Sequence, residues 1–197
     1  MKAEPIPVLG PSLPHQVHEA IGKAIEAYAL VEGEQVFLIQ SIIGSDYPTA
    51  TIIAFSMNAN SRRKMIGELL GHTYEGALDK YWKSCSKFLN NLALFRHATA
   101  HWHPFVEIYE QEGTDKVYIK HVLNQPRLGK LYESLDDQSV LPFIEDCHYI
   151  RSQLRELNNA VLRKPRDAKL ADRFERPLAR KNAARIRRSY PRKLVTA

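Results

Sequence analysis

The stretch YWKSCSKFLNNLALFRHATAHWHP, residues 81–104, decides the fold because it places a continuous stripe of mainly apolar residues on one face of a helix. On a wheel of about 100° per residue, four residues fall within about 40° of Phe88, namely Leu92, Phe95, Thr99 and Trp102. Pro104 disfavours helical geometry at the residue before it, so the helix is expected to end close to Trp102. The pattern predicts a long amphipathic helix over residues 74–102 whose stripe packs into a core.

Helical spacing continues on the N-terminal side of this stretch. Apolar residues three and four positions apart predict a helix over residues 15–44, which a glycine ends. A shorter helix is expected to start near Pro48, because proline is favoured in the first turn. A third helix is predicted over residues 58–72, with Asn60 or Ser61 as its N-cap.

The period changes after Pro104. Residues 105–122 alternate apolar and polar on both sides of the sequence EGTD, which predicts a two-stranded β-hairpin. Helical spacing then returns over residues 139–164. The predicted fold is therefore all-α, an up-and-down helical bundle with a β-hairpin inserted before the last helix.

The positive charge is concentrated at the C-terminal end of the chain. Residues 163–197 hold 13 Lys or Arg against 3 Asp or Glu, whereas residues 1–162 carry a net charge of −4. We expect an extended leader at residues 1–14, the domain at residues 15–163 and a basic, disordered tail at residues 164–197 that binds RNA phosphates. A solvated end without a ligand and an acidic protein partner remain open alternatives for the tail. The tail residues expected to contact RNA are Arg180, Lys181, Arg185, Arg187 and Arg188.

The cellular compartment is predicted from the lack of a membrane-spanning segment, a signal peptide and paired cysteines in the sequence. No segment approaches the roughly 20 apolar residues that span a bilayer, and the first residues lack the apolar run of a signal peptide. Cys85 and Cys147 lie far apart and neither has a CxxC partner, so reduced thiols are expected. We expect a cytoplasmic protein without a cofactor and without membrane contact.

The end of the 74–102 helix carries an arginine and two histidines outside the core stripe. On the same wheel Arg96 falls at about +80°, at the edge of the stripe, while His97 and His101 fall at about 180° and about −140°. Ala93 and Ala100 flank this second face, and their small side chains allow another backbone to approach closely. The face is either solvated or part of a helix–helix contact with a polar centre.

Zinc binding is a competing interpretation of the same residues, because His97 and His101 have HxxxH spacing. The usual catalytic form of that motif has a glutamate after the first histidine, where this chain has Ala98. A third ligand would have to come from His103 or from another part of the chain. The sequence therefore favours a site without a metal.

The segment RHATAH, residues 96–101, resembles the Arg-x4-His motif of HEPN domains (higher eukaryotes and prokaryotes nucleotide-binding). Residues 27–44 and 50–71 resemble the early helix and the short helix pair of that family, so the likeness covers residues 17–103. It implies a compact helical bundle and metal-independent RNA cleavage, an activity common in toxins and antiviral defence. It also implies a site formed across a homodimer, with an antitoxin or another protein among the expected partners.

The resemblance assigns roles to four residues. Arg96 and His101 match the two motif positions, which implies that both are catalytic. His97 takes the polar position after the arginine, where the family often has Asn or Asp, and Glu32 matches the acidic position of the early helix. The histidine at position 97 and the basic tail depart from the family pattern. Some members have lost activity and serve as binding modules, so a non-catalytic interaction module is the alternative.

The chemistry of RNA cleavage explains why such a site would use arginine and histidine. The RNA supplies its own nucleophile, the 2′-OH, and the protein must supply a base, an acid and positive charge for the phosphate. Histidine can be the base or the acid near neutral pH, but one imidazole cannot hold both protonation states in one turnover. Two copies of His101 across a two-fold axis could, which is why a homodimer is expected. Nucleic-acid binding through the tail alone is a third interpretation.

Overall fold

A computed structural model describes residues 15–101, 103–110, 117–124, 134–135, 137–163 and Phe174. Its elements, in chain order, are α1 (His15–Ile43), α2 (Tyr47–Phe55), α3 (Ala59–Thr73), α4 (Asp79–His101), β1 (His103–Glu110), β2 (Val117–Asn124), β3 (Ser134–Leu135) and α5 (Asp137–Arg163). The predicted helical bundle is confirmed.

The three strands form one antiparallel sheet in the order β1-β2-β3, between α4 and α5 in sequence. His103 pairs with Asn124 at one end of the β1–β2 ladder and Glu110 pairs with Val117 at the other. The predicted turn EGTD, residues 112–115, lies outside the described residues.

The first two helices begin and end where local chemistry requires. α1 runs unbroken to Ile43, and Gly44 follows it with a φ of 68°, a left-handed conformation that glycine adopts without strain. The side chain of Asp46 caps α2 by accepting a hydrogen bond of 2.7 Å from the backbone N–H of Thr49. Pro48 lies in the first turn of α2, as predicted.

Two predicted helix starts were wrong. The N-cap of α3 is Asn58, not Asn60 or Ser61, because Asn58 is extended and its side chain accepts from the backbone N–H of Ser61 at 2.9 Å. The helix predicted from residue 74 begins only at Asp79. Residues 75 and 76 have φ values of 52° and 79°, and this left-handed turn interrupts the helical hydrogen bonding.

The core lies between α1, α4 and α5, with α1 packed along α5 and in contact with α2, α3 and α4. The predicted stripe of α4 is buried at Phe88, Leu92, Phe95 and Thr99, which confirms the wheel. Phe95 stacks on Phe143 of α5 with ring centroids 4.3 Å apart. Trp102 lies outside the described residues.

The C-terminal end of the core extends past α5. Phe174 is buried and packs edge-on against Tyr81 of α4, with ring centroids 5.1 Å apart. The expected domain end at residue 163 therefore leaves out one core residue. The rest of the predicted leader and basic tail lies outside the described residues, including Arg180, Lys181, Arg185, Arg187 and Arg188.

Across the part of the chain that the structure describes, no single helix is both long and apolar enough to cross a bilayer. The segments His18–Ile43 and Tyr47–Phe55 meet the length and composition criteria only when taken together, and they are bent by 117° relative to each other.

Candidate functional site: an arginine cluster on α1, α3 and α4

The predicted motif residues lie in the last turns of α4. Arg96 is half-buried, and its charge acts on the buried phenol of Tyr28 in α1. His97 is exposed. His101 is the last residue of α4, and its side chain is not among those described.

Glu32, the predicted acidic residue, is the ion-pair partner of Arg62 in α3. The arginine side chain is 2% exposed and the glutamate side chain 20% exposed, so the pair lies largely below the surface. Arg62 also donates to the backbone carbonyl of Ala54 at 3.4 Å, and its guanidinium carbon lies 5.3 Å from the ring centroid of Phe55. Glu32 therefore holds an arginine in place.

The charges of three arginines and one carboxylate act on the phenol of Tyr28. We call this set the arginine cluster; its members are Tyr28, Glu32, Arg62, Arg63 and Arg96. Within the set the positive charges outnumber the negative one by two, and two of the arginines are buried. Burying unbalanced charge is unfavourable, so the arrangement suits an anion that completes the balance.

Arg63 is a buried member of the cluster whose described hydrogen-bond partners carry no charge. Its acceptors are the side-chain oxygens of Asn90, at 3.0 Å, and Asn60, at 3.5 Å. Burial lowers the pKa of Arg63, with a smaller contribution from the neighbouring charge of Arg62, while Tyr28 opposes the shift. Both asparagines are exposed, so Arg63 is bonded to side chains at the surface.

The backbone of Arg63 is fixed by a close approach of α4. The indole Nε1–H of Trp82 donates to the backbone carbonyl of Arg63 at 3.0 Å. This contact requires Gly67, because a β-carbon there would lie 2.8 Å from Cδ1 and 2.9 Å from Nε1 of Trp82. The α3–α4 crossing therefore sets the position from which the Arg63 side chain extends.

The pKa of Tyr28 reports the balance of charges in the cluster. Loss of solvation raises it most and Glu32 raises it further, while the three arginines lower it, and the result is a pKa of about 12. Burial therefore outweighs three nearby positive charges. The phenol stays neutral at physiological pH and does not compensate the excess of positive charge.

A second polar cluster joins α1 to α5. Glu34 is buried and accepts from Arg151 Nε at 3.2 Å and from Arg155 Nη2 at 2.7 Å. Nearby, the hydroxyl of Ser41 donates to the side-chain oxygen of Asn158. The outer face of α5 forms an open depression of about 410 Å³, lined by His148, Arg151, Ser152, Arg155, Glu156, Asn159, Ala160 and Arg163.

Metal and thiol chemistry find no support among the described side chains. No three His, Cys, Asp or Glu residues in the described regions converge as a metal site would require. Cys85 and Cys147 are both buried, and burial raises the pKa of each thiol, that of Cys85 to about 12. A protonated, enclosed thiol is a poor nucleophile and a poor ligand.

Arg62 and Arg63 were not predicted as site residues, although the sequence contains a signal for them. Arg62 precedes the buried Ile66 and Leu70 by four and eight positions, which places it on the buried face of α3. Arginine is rarely buried without a partner, so an arginine on a core stripe indicates a buried charge. What the spacing cannot reveal is the partner, Glu32, which lies thirty residues earlier on another helix.

Comparisons with family models, with curated proteins and with solved structures found no match to this chain.

Proposed function

We propose that this protein is a metal-independent endoribonuclease of the HEPN type that cleaves RNA through attack by the substrate's own 2′-OH. One observation carries this proposal. Arg96, the first residue of the RHATAH segment, belongs to a cluster with an excess of positive charge. The motif needs a cation at position 96 to bind phosphate, and in this protein two further arginines belong to the same cluster.

In the proposed reaction the protein supplies proton transfer and charge. One His101 imidazole removes the proton of the 2′-OH, and the His101 of a second subunit donates a proton to the leaving 5′-oxygen. Arg96 donates hydrogen bonds to the phosphate oxygens as negative charge builds on the pentacoordinate phosphorus. The β1–β2 pair is then an insertion into the HEPN-like bundle, and Glu32 acts indirectly by holding Arg62.

The exposed face of α4 supports the homodimer that this chemistry requires. Leu94 is 59% exposed and shares this face with the exposed His97. Ala100, which the wheel places beside them, is exposed as well. Apolar and small residues around a histidine suit contact with a second copy of α4 about a two-fold axis. Such a protein would act on RNA in the cytoplasm, as a toxin or antiviral effector restrained by an antitoxin.

The second candidate is a non-catalytic HEPN-like module that binds nucleic acid. It is favoured by the composition of the arginine cluster, which has cations to bind a phosphate but no histidine to transfer a proton. In that case the basic tail and the cluster would hold RNA while another protein acts on it.

The decisive experiment incubates the full-length protein with single-stranded RNA in EDTA. We expect cleavage, and we expect Arg96→Ala and His101→Ala each to lower the rate by at least about 100-fold, because each removes a group that acts in the transition state. His72→Ala, which removes an exposed histidine of α3, is the matched control and should leave the rate unchanged.

Sedimentation of Leu94→Glu tests the dimer, since a charge on that face should give monomers and abolish cleavage. Binding without cleavage by the wild-type protein would favour the non-catalytic module. Cleavage that survives both the Arg96 and the His101 substitutions would refute the proposed mechanism.

A further inference from the structure

We infer that Arg63 forms, within a single subunit, a binding site for a phosphate group of an RNA strand, entered between Asn60 and Asn90. The choice of RNA as the source of the phosphate rests on the proposed function. The site itself does not involve His101 or a second subunit, so it can be tested separately.

The first step of the argument is that Arg62 and Arg63 differ although they are adjacent. Arg62 is held by the carboxylate of Glu32, by the carbonyl of Ala54 and by the ring of Phe55. Its Nε is buried without a hydrogen-bond partner, but its charge is paired with Glu32. The charge of Arg62 is thus committed to the fold.

Arg63 has replaceable partners instead. Its Nη2 donates to the amide oxygens of Asn60 and Asn90, which are neutral, exposed and free to turn toward solvent. A phosphate oxygen is a stronger acceptor than an amide oxygen for a guanidinium, and it can take two parallel hydrogen bonds. Exchanging the amides for a phosphate would satisfy Arg63 and offset the excess charge.

The second step concerns position. Arg63 is held from α3 by the contact between its backbone carbonyl and Trp82. Asn60 and Asn90, which accept its hydrogen bonds, are exposed, so a phosphate can replace them at the surface. The charge of Arg96 acts on the phenol of Tyr28, as that of Arg63 does, and adds to the positive potential.

The test compares thermal unfolding in phosphate and in chloride at equal ionic strength. Wild-type protein should gain about 5 °C in Tm when phosphate replaces chloride at about 100 mM, because an anion that binds only the folded state stabilises it. Arg63→Gln should lose this gain, and in chloride its Tm should be unchanged or higher because a buried charge beside Arg62 is gone. Lys64→Gln is the matched control, since Lys64 is the next residue and 79% exposed, and it should keep the gain.

A second variant keeps Arg63 in place. Asn90→Asp puts a carboxylate on the atom position that lies 3.0 Å from Arg63 Nη2. This internal anion should raise the Tm in chloride and abolish the gain from phosphate. Asn91→Asp, one residue further along α4, makes the same charge change and should do neither.

The RNA arm measures fluorescence anisotropy of a labelled 2′-O-methyl RNA, which cannot be cleaved. Arg63→Gln and Asn90→Asp should each weaken its binding by about 10-fold or more, against less than about twofold for the two controls. A phosphate gain that persists in both variants would overturn the site. If the Tm gain in phosphate depends on Arg63 but RNA binding does not, the site binds free phosphate instead of RNA. Absence of cleavage alone would remove the proposed enzyme and leave this site standing.

Discussion

The two buried ion-pair clusters of the bundle differ in the sign of the charge that they bury. Around Tyr28 the cations are inside, because Arg62 and Arg63 are buried, with Glu32 pairing Arg62 and neutral asparagines accepting from Arg63. Between α1 and α5 the anion is inside, because Glu34 is buried while Arg151 and Arg155 are 27% and 54% exposed. In the arginine cluster the buried charge is positive. In the α1–α5 cluster the buried charge is a carboxylate, and the arginines that pair with it are partly exposed to solvent.

The difference separates a structural role from a binding role. In the α1–α5 cluster two arginines face one carboxylate, but both arginines keep part of their hydration, so the cluster joins two helices at little cost. In the arginine cluster, by contrast, Arg63 is buried with neutral hydrogen-bond partners. Burying a charge without an opposite charge lowers the stability of the fold, and we attribute its retention to a ligand. A comparison of variants in the two clusters measures this loss of stability.

The largest effect is expected when the only carboxylate of the arginine cluster is removed. Glu32→Gln leaves Arg62 buried without a counter-charge, which should lower the free energy of unfolding by about 3 kcal/mol in urea titrations. Adding Arg62→Met should recover part of this loss, because the uncompensated charge is then absent. Glu68→Gln, in the exposed pair with Lys64, is the control and should be silent. A loss no larger than the control's would mean that Arg62 is hydrated.

A smaller loss is expected in the other cluster. Glu34→Gln keeps an amide oxygen that can still accept from Arg151 and Arg155, and both arginines can turn to water. The free energy of unfolding should fall by about 1 kcal/mol, and the loss should shrink as salt screens the wild-type pair. If Glu34→Gln costs as much as Glu32→Gln, the proposed contrast between the two clusters is wrong.

An effect of similar size is expected from pH and concerns Tyr28. Its pKa is raised to about 12 in the folded protein, above the ordinary value near 10, so its contribution to stability is complete below pH 10 and is lost as the pH rises toward 12. At pH 11 Tyr28→Phe should therefore lose about 1 kcal/mol less than the wild type, relative to pH 8. Urea titrations at the two pH values provide the measurement. Equal losses in both proteins would place the phenol in contact with solvent.

The sequence predicted those features of the fold that depend on local periodicity. The buried stripe of α4 and the end of α1 at Gly44 follow from residue spacing and from backbone conformation, and both are confirmed. The start of α4 was missed because the apolar spacing continues through Tyr74 and Leu78. A left-handed turn at Glu75 and Gly76 interrupts the helical backbone there, so α4 begins only at Asp79. Apolar spacing predicts which face of a helix is buried, but it carries no information on backbone φ.

The site was predicted only in part for a related reason. Arg96 stands at the edge of the buried stripe, as the wheel indicated, and Glu32 belongs to the same cluster. The partnership of Glu32 with Arg62 depends on how α1 crosses α3, which no local pattern encodes. Phe174 was assigned to the tail because its neighbours are basic, yet its buried ring packs edge-on against Tyr81. Long-range contacts account for each of these misses.

The glycine at position 67 constrains how this protein can change over a lineage. A methyl group there would overlap the indole ring of Trp82, and that ring holds the carbonyl of Arg63. A larger residue at position 67 therefore fits only if Trp82 is first replaced by a smaller residue. That replacement removes the hydrogen bond that holds the backbone carbonyl of Arg63. Descendants should either keep the glycine and the tryptophan together or lose both, together with the anion chemistry they support.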